Sequence, residues 1–209
     1  EVVVVGGVRR SALISLSDLG DPEVRDAKSG RWWETTAHRA LANNSAAYEQ
    51  KPSMMVFMDE WLALMKSGSG ERGIFNRAGA KALAPERRNS DLLVGTNPCA
   101  EIQLRSGQLC NLSEVVCRVD DTEEDLKRKI GLATILGTLQ ASLTEFKYVR
   151  KVWQKNCEEE RLLGVSLTGI QDCKILRKPD PAMLERLRDY AGEVNIAYSE
   201  KLNINPATA

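Results

Sequence analysis

The chain has 209 residues, with 29 lysines and arginines against 29 aspartates and glutamates, and 43% apolar residues, enough to bury a real core in one domain or in a large piece of something bigger. Zero net charge excludes a general attraction to nucleic acid or an anionic membrane, so any anionic partner has to be bound locally. No apolar run nears the roughly 20 residues that span a bilayer and no signal-peptide pattern opens the chain, so a soluble cytoplasmic protein is expected.

In chain order, Val2 to Val5 form an apolar run ending at Gly6-Gly7, the pattern of a buried strand entering a loop, and residues 12–16 read as a second strand. Asp21-Pro22-Glu23 opens a short helix through residues 24–27 that ends near Gly30. Trp32-Trp33 stands in a polar loop, and residues 40–48 read as strand. From Pro52 or Ser53 an amphipathic helix sets Val56, Met58, Trp61, Leu62 and Met65 at helical spacing as a core stripe, and Ser67-Gly68-Ser69-Gly70 stops it. A short apolar stretch at 73–76 and a weak helix over 77–83 follow, then a polar loop at 85–90.

Residues 112–119 alternate as a strand, and the acidic cluster at 121–125 caps a long helix, carrying Leu126, Ile130, Leu136 and Leu143, expected to reach Phe146. Residues 161–167 read as strand, 170–176 as a short helix and 181–202 as a final helix. Strands alternating with helices give an α/β fold, with no internal repeat. Because it starts inside an apolar run and stops at Asn205-Pro206-Ala207-Thr208-Ala209, the sequence reads as a piece of a longer chain.

Five cysteines, an odd number, do not make the framework of a small secreted domain, so reduced thiols are expected. Two of them, Cys99 in Asn-Pro-Cys-Ala-Glu and Cys110 in Cys-Asn-Leu-Ser-Glu, stand eleven residues apart. In an extended segment Asn97, Cys99 and Glu101 would share one face, and Pro98 favours a tight loop entering a cavity over a central strand. A carboxylate beside the thiol, with the single histidine, His38, far upstream, disfavours an ordinary cysteine nucleophile. A hydrogen-atom donor, a dithiol with Cys110, a small thiol-disulfide oxidoreductase and a buried cysteine without a role stay open. Zinc is disfavoured by the lack of ligand spacing.

Four blocks in order, "GGVRRSALISLSD", "NPCAEIQL", "CNLSEVV" and "RLLGVSLTGIQD", resemble the large catalytic chain of ribonucleotide reductases. The eleven-residue gap is most similar to the adenosylcobalamin-dependent class II branch, including its monomeric triphosphate reductases. The resemblance implies that residues 1–209 are part of one catalytic domain, a ten-stranded α/β barrel, with a finger loop near 95–110. It implies that Cys99 becomes a thiyl radical that removes the 3'-hydrogen of the ribose, with Glu101 as general base and Asn97 bonding the sugar hydroxyls. Cys110 would be half of the reducing dithiol, its partner lying upstream of the chain.

The resemblance also implies a specificity loop near 4–11, with Gly6, Gly7, Val8, Arg9, Arg10 and Ser11 between substrate and effector. Two glycines permit close approach and the arginines offer planar donors; the alternative is a surface turn with solvated arginines. "INPATA" resembles the lead-in to the family's phosphate-binding loop. The implied partners are a ribonucleoside di- or triphosphate, a deoxynucleotide effector and a thioredoxin-type reductant, with adenosylcobalamin as cofactor and a monomer or homodimer as assembly. Alternatives are a non-catalytic nucleotide-binding remnant, or a reductase served by an iron-containing radical subunit. The chain alone is expected to be inactive, and Cys117, Cys157 and Cys173 match no implied role.

Overall fold

The computed structural model describes residues 13–208, so the strand at 2–5 and the loop residues Gly6 to Ser11 lie outside the described residues. The chain divides into two compact units: residues 13–84 with 89–106, and residues 85–88 with 107–208. Both are built on parallel strands packed with helices, an α/β architecture.

The first unit contains a three-stranded parallel sheet, β1 (Leu13–Asp18), β2 (Ala42–Ala47) and β3 (Gly73–Phe75), in that order. Leu13 pairs with Ala42 at one end of the register and Asp18 with Ala47 at the other. The short helix opens at Asp21-Pro22 as expected, the Asp21 carboxylate accepting from the Glu23 and Val24 amides, but it spans only Pro22–Arg25 and ends well before Gly30. Trp32 and Trp33 lie on a second short turn, Trp32–Thr35, with the Lys28 ammonium over the Trp32 ring.

Helix α1 (Met54–Ser67) starts where the Ser53 hydroxyl accepts from the Val56 amide and stops at Gly68, whose φ of 66° no β-carbon favours. The core stripe expected on it is wrong. Val56, Met58, Trp61, Leu62 and Met65 are 43% to 65% exposed, and the one buried residue of the helix is Glu60. Arg72 takes both carboxylate oxygens of Glu60, at 2.6 and 2.9 Å, so the neighbouring stripe through Phe57, Glu60 and Leu64 turns inward instead. A short helix, α2 (Arg77–Ala82), precedes the hairpin formed by β4 (Leu93–Thr96) and β5 (Gln103–Arg105).

In the second unit β6 (Asn111–Val116) pairs in parallel with β7 (Leu163–Thr168), Asn111 opposite Leu163 and Val116 opposite Thr168. Between them run α3 (Glu123–Ser142) and α4 (Lys151–Glu160), and α5 (Pro181–Leu202) follows β7. The core gathers Val115 and Cys117, Leu126 and Ile130 of α3, Cys173 and Leu176 from the turn after β7, and Met183 and Leu187 of α5. Helix α3 lies so close to β7 that a β-carbon at Gly137 would fall 2.1 Å from the Leu163 side chain.

Three expectations fail here. Helix α3 ends at Ser142, not near Phe146: the Ser142 hydroxyl turns back to the Leu139 carbonyl, and Thr144 leaves the helix line to bond Glu158. Its inward face carries small residues, Thr134, Gly137, Thr138 and Ala141, while Leu136 and Leu143 are exposed. Residues 170–176 form turns, with the Cys173 amide bonded to the Gly169 carbonyl and the Leu176 and Arg177 amides to that of Cys173. Helix α4 was not anticipated at all.

Candidate active site

The β4–β5 hairpin is pinned at Gly95 opposite Leu104 and Thr96 opposite Gln103, after a bulge between Leu93 and Gly95 that bends the strand. Its tip is a turn, so the strict alternation expected of an extended segment does not hold. The Ala100 amide donates to the Asn97 carbonyl at 2.9 Å, and Ala100 itself takes a left-handed φ of 66°.

The Asn97 side-chain oxygen closes the tip, accepting from the Ile102 amide at 3.1 Å and from the Thr96 hydroxyl at 3.3 Å. The Thr96 hydroxyl also reaches the Ile102 carbonyl, at 2.9 Å. Pro98 has no amide to donate, and its carbonyl is held from β2 by the Asn43 side-chain Nδ2 at 3.2 Å. Cys99 and Glu101 are exposed at this tip and Asn97 is half-buried. The hairpin thus brings the amide, thiol and carboxylate residues onto one six-residue turn. With its oxygen spent on the turn, Asn97 offers its amide Nδ2 as the donor for a ligand.

Cys110 belongs to the second unit and is half-buried in the segment entering β6. Helix α4 holds this segment residue by residue. Asn156 donates to the Gly107 carbonyl at 3.1 Å, and Gln108 donates to Glu160 at 2.6 Å. The Leu109 amide donates to the Cys157 sulfur at 3.4 Å, and that thiol points back at the Leu109 carbonyl at 3.9 Å. Beyond the cysteine, the Asn111 amide is fixed on the Leu162 carbonyl at 3.0 Å.

Glu160 is fully buried, and Arg88 clamps its two oxygens at 3.1 and 2.8 Å. Its own carbonyl accepts from the Thr208 amide at 3.0 Å, so one residue ties residues 85–88, the Cys110 segment and the "INPATA" end together. Burial pushes the Cys157 thiol up, and it pushes Cys117 up with help from Cys173 and Asp121. Sequence reasoning missed Asn43, Arg72, Arg88 and Glu160 because each acts on a partner 12 to 72 residues away. Among the described residues no group of three or more His, Cys, Asp or Glu side chains could hold a metal ion. No described helix is long and apolar enough to cross a membrane.

No protein-family model matches the chain. It is 34% identical, over 82% of its own length, to the adenosylcobalamin-dependent ribonucleoside-triphosphate reductase of Lacticaseibacillus paracasei, covering 23% of that protein. The reductase of the same name from Levilactobacillus brevis gives 34% identity with the same coverage. That from Lactobacillus acidophilus is 30% identical over 99% of this chain and 31% of its own length. The chain is therefore a homologue of part of these reductases and spans about a quarter to a third of their length.

Proposed function

We propose that this homologue of part of the adenosylcobalamin-dependent reductases supplies the thiol chemistry of a ribonucleotide reductase. The reaction converts a ribonucleotide, a triphosphate in the named relatives, to its 2'-deoxyribonucleotide. The observation that carries the reading is the exposed Cys99 thiol on a hairpin tip whose backbone is closed by Asn97 and braced by Asn43. A hydrogen-atom donor needs that arrangement: a fixed main chain and an accessible S–H.

An exposed cysteine on a fixed tip fits a group whose S–H bond could give up its hydrogen atom in radical chemistry. Adenosylcobalamin, when bound, supplies the unpaired electron such chemistry needs. Cys99, as a thiyl radical, takes the 3'-hydrogen of the ribose. Glu101 accepts the 3'-hydroxyl proton, and Asn97 donates its free amide hydrogens to the sugar hydroxyls. The 2'-hydroxyl leaves as water, and two electrons come from a dithiol that ends as a disulfide, with Cys110 as one of its sulfurs. The overall balance is ribonucleotide plus dithiol to deoxyribonucleotide, water and disulfide.

Residues 1–209 are proposed to form part of one ten-stranded barrel domain, with the finger loop near 95–110. Gly6, Gly7, Val8, Arg9, Arg10 and Ser11 are proposed as the loop that reads a deoxynucleotide effector. A thioredoxin-type protein is proposed to restore the dithiol. The test is Cys99→Ser in the full-length polypeptide: nucleotide binding stays and reduction falls to background, because an O–H bond is too strong to serve as the radical carrier. Unchanged turnover would refute the thiyl assignment.

A further inference from the structure

Helix α4 turns Trp153, Asn156, Cys157 and Glu160 to one side, the i, i+3, i+4, i+7 face of a helix, and this face meets residues 107–109. Gly107 takes a left-handed φ of 73°, and a β-carbon there would come within 3.1 Å of Val152 and 3.6 Å of Trp153. The segment is then fixed at the Gly107 carbonyl, the Gln108 side chain, both polar atoms of Leu109, and the Asn111 amide. The residue inside this series is Cys110.

We propose that Cys157 is a positioning residue for Cys110, holding the backbone of Leu109 from both its N–H and its C=O so that the neighbouring thiol keeps one place. The proposal rests on the reading of Cys110 as half of the reducing dithiol. A thiol that closes and reopens a disulfide every cycle works within narrow limits, because the two β-carbons must come to about 3.8 Å with a defined torsion. A backbone free to shift would forfeit that geometry.

A thiol suits the task because it is donor and acceptor on a short, apolar-tolerant side chain. Burial holds Cys157 protonated at neutral pH, which keeps the S–H available to the Leu109 carbonyl and keeps this sulfur out of competing disulfide exchange. Alanine removes both contacts. Serine restores both in kind, with a shorter reach.

The experiment uses the full-length reductase polypeptide with Cys157→Ala, Cys157→Ser and, as a control at another buried cysteine of the same unit, Cys173→Ala. Turnover with a small dithiol is read as kcat and KM, and the alkylation rate of Cys110 by iodoacetamide is read by peptide mass spectrometry. Cys157→Ala should lower kcat on the order of tenfold with KM unchanged, the scale of a small misplacement of a reacting group. It should also speed Cys110 alkylation severalfold, while Cys157→Ser recovers most of both. Cys173→Ala should lower thermal stability and leave both readouts alone.

Equal kcat and equal alkylation in Cys157→Ala and wild type would overturn the proposal, as would identical behaviour of the Cys157 and Cys173 variants. Cys110→Ser with full turnover would instead sink the dithiol reading itself; the alkylation rate would still decide whether Cys157 positions its neighbour.

Discussion

In the first unit the side chain buried from α1 is a carboxylate, Glu60, matched by five hydrogen bonds from Arg72 to Glu60, Ser17, Asp18 and Leu19. In the second unit the equivalent inward positions of α3 are Leu126 and Ile130, packed on Val115, Cys117 and Cys173. Directional bonds fix where a backbone goes, whereas apolar packing fixes how much volume it encloses. The exposed hairpin tip belongs to the first unit and the half-buried Cys110 segment to the second, and both are held by directional bonds, the tip by Asn97 and Asn43 and the Cys110 segment by Asn156, Cys157 and Glu160. A loop that must present a thiol outward cannot bury that thiol, so it borrows rigidity from its polar neighbours.

Glu60→Ala attacks the first unit most directly. Arg72 keeps its bonds to Ser17, Asp18 and Leu19 but is left a buried charge without its carboxylate, and a cost of about 3–5 kcal/mol is expected in chemical denaturation. A loss below 1 kcal/mol would mean that packing, not the ion pair, holds α1. Leu126→Ala makes the matching cut in the second unit and should cost about 3 kcal/mol through the cavity it leaves.

The hairpin tip separates two roles of one side chain. Asn97→Ala removes the acceptor for Ile102 and Thr96, and should raise amide exchange at Ile102 by the equivalent of about 1–2 kcal/mol. Asn97→Asp keeps that acceptor and should leave exchange near wild type while still losing turnover, since the donor amide is gone. Normal turnover in Asn97→Asp would remove the sugar-binding role.

The smallest effect is one of pH. The Cys117 thiol, held above its ordinary 9.0 by burial, stays protonated in the fold after the unfolded chain has begun to ionise. Its stabilising contribution is therefore complete below pH 9.0 and is lost as pH climbs toward the folded value, by at most about 1.4 kcal/mol per pH unit. Cys117→Ala should flatten part of that decline in urea midpoints measured from pH 8 to about 11, the range spanned by ordinary thiol and lysine titration.

Where local chemistry decides structure, the sequence was legible. Asp180 and Pro181 set the start of α5 and the run to Leu202 its end, both as expected, and the strand at 161–167 matches β7 within two residues. Legibility ends where a distant partner decides. Helix α4 is short and strongly polar overall, with no side-chain cap on Arg150; Glu160, Cys157 and Trp153 hold it against residues 107–109. On α1 the apolar stripe looked like the core because nothing local announces that Arg72 will neutralise Glu60.

The same division runs through the site. Pro98 marks a tight loop around Cys99, but alanine gives no sign that Ala100 will be left-handed, so an extended face was expected where a turn stands. Cys157 looked like an idle thiol because its partner, Leu109, is 48 residues away and contributes only backbone.

The most direct test of the account is ribonucleotide reduction by the full-length polypeptide with a dithiol reductant, anaerobically and in air, with and without adenosylcobalamin. Deoxyribonucleotide that forms only with adenosylcobalamin, and is lost in Cys99→Ser, is the predicted result. Product that instead requires an iron-containing partner protein, or no product under any condition, would contradict it.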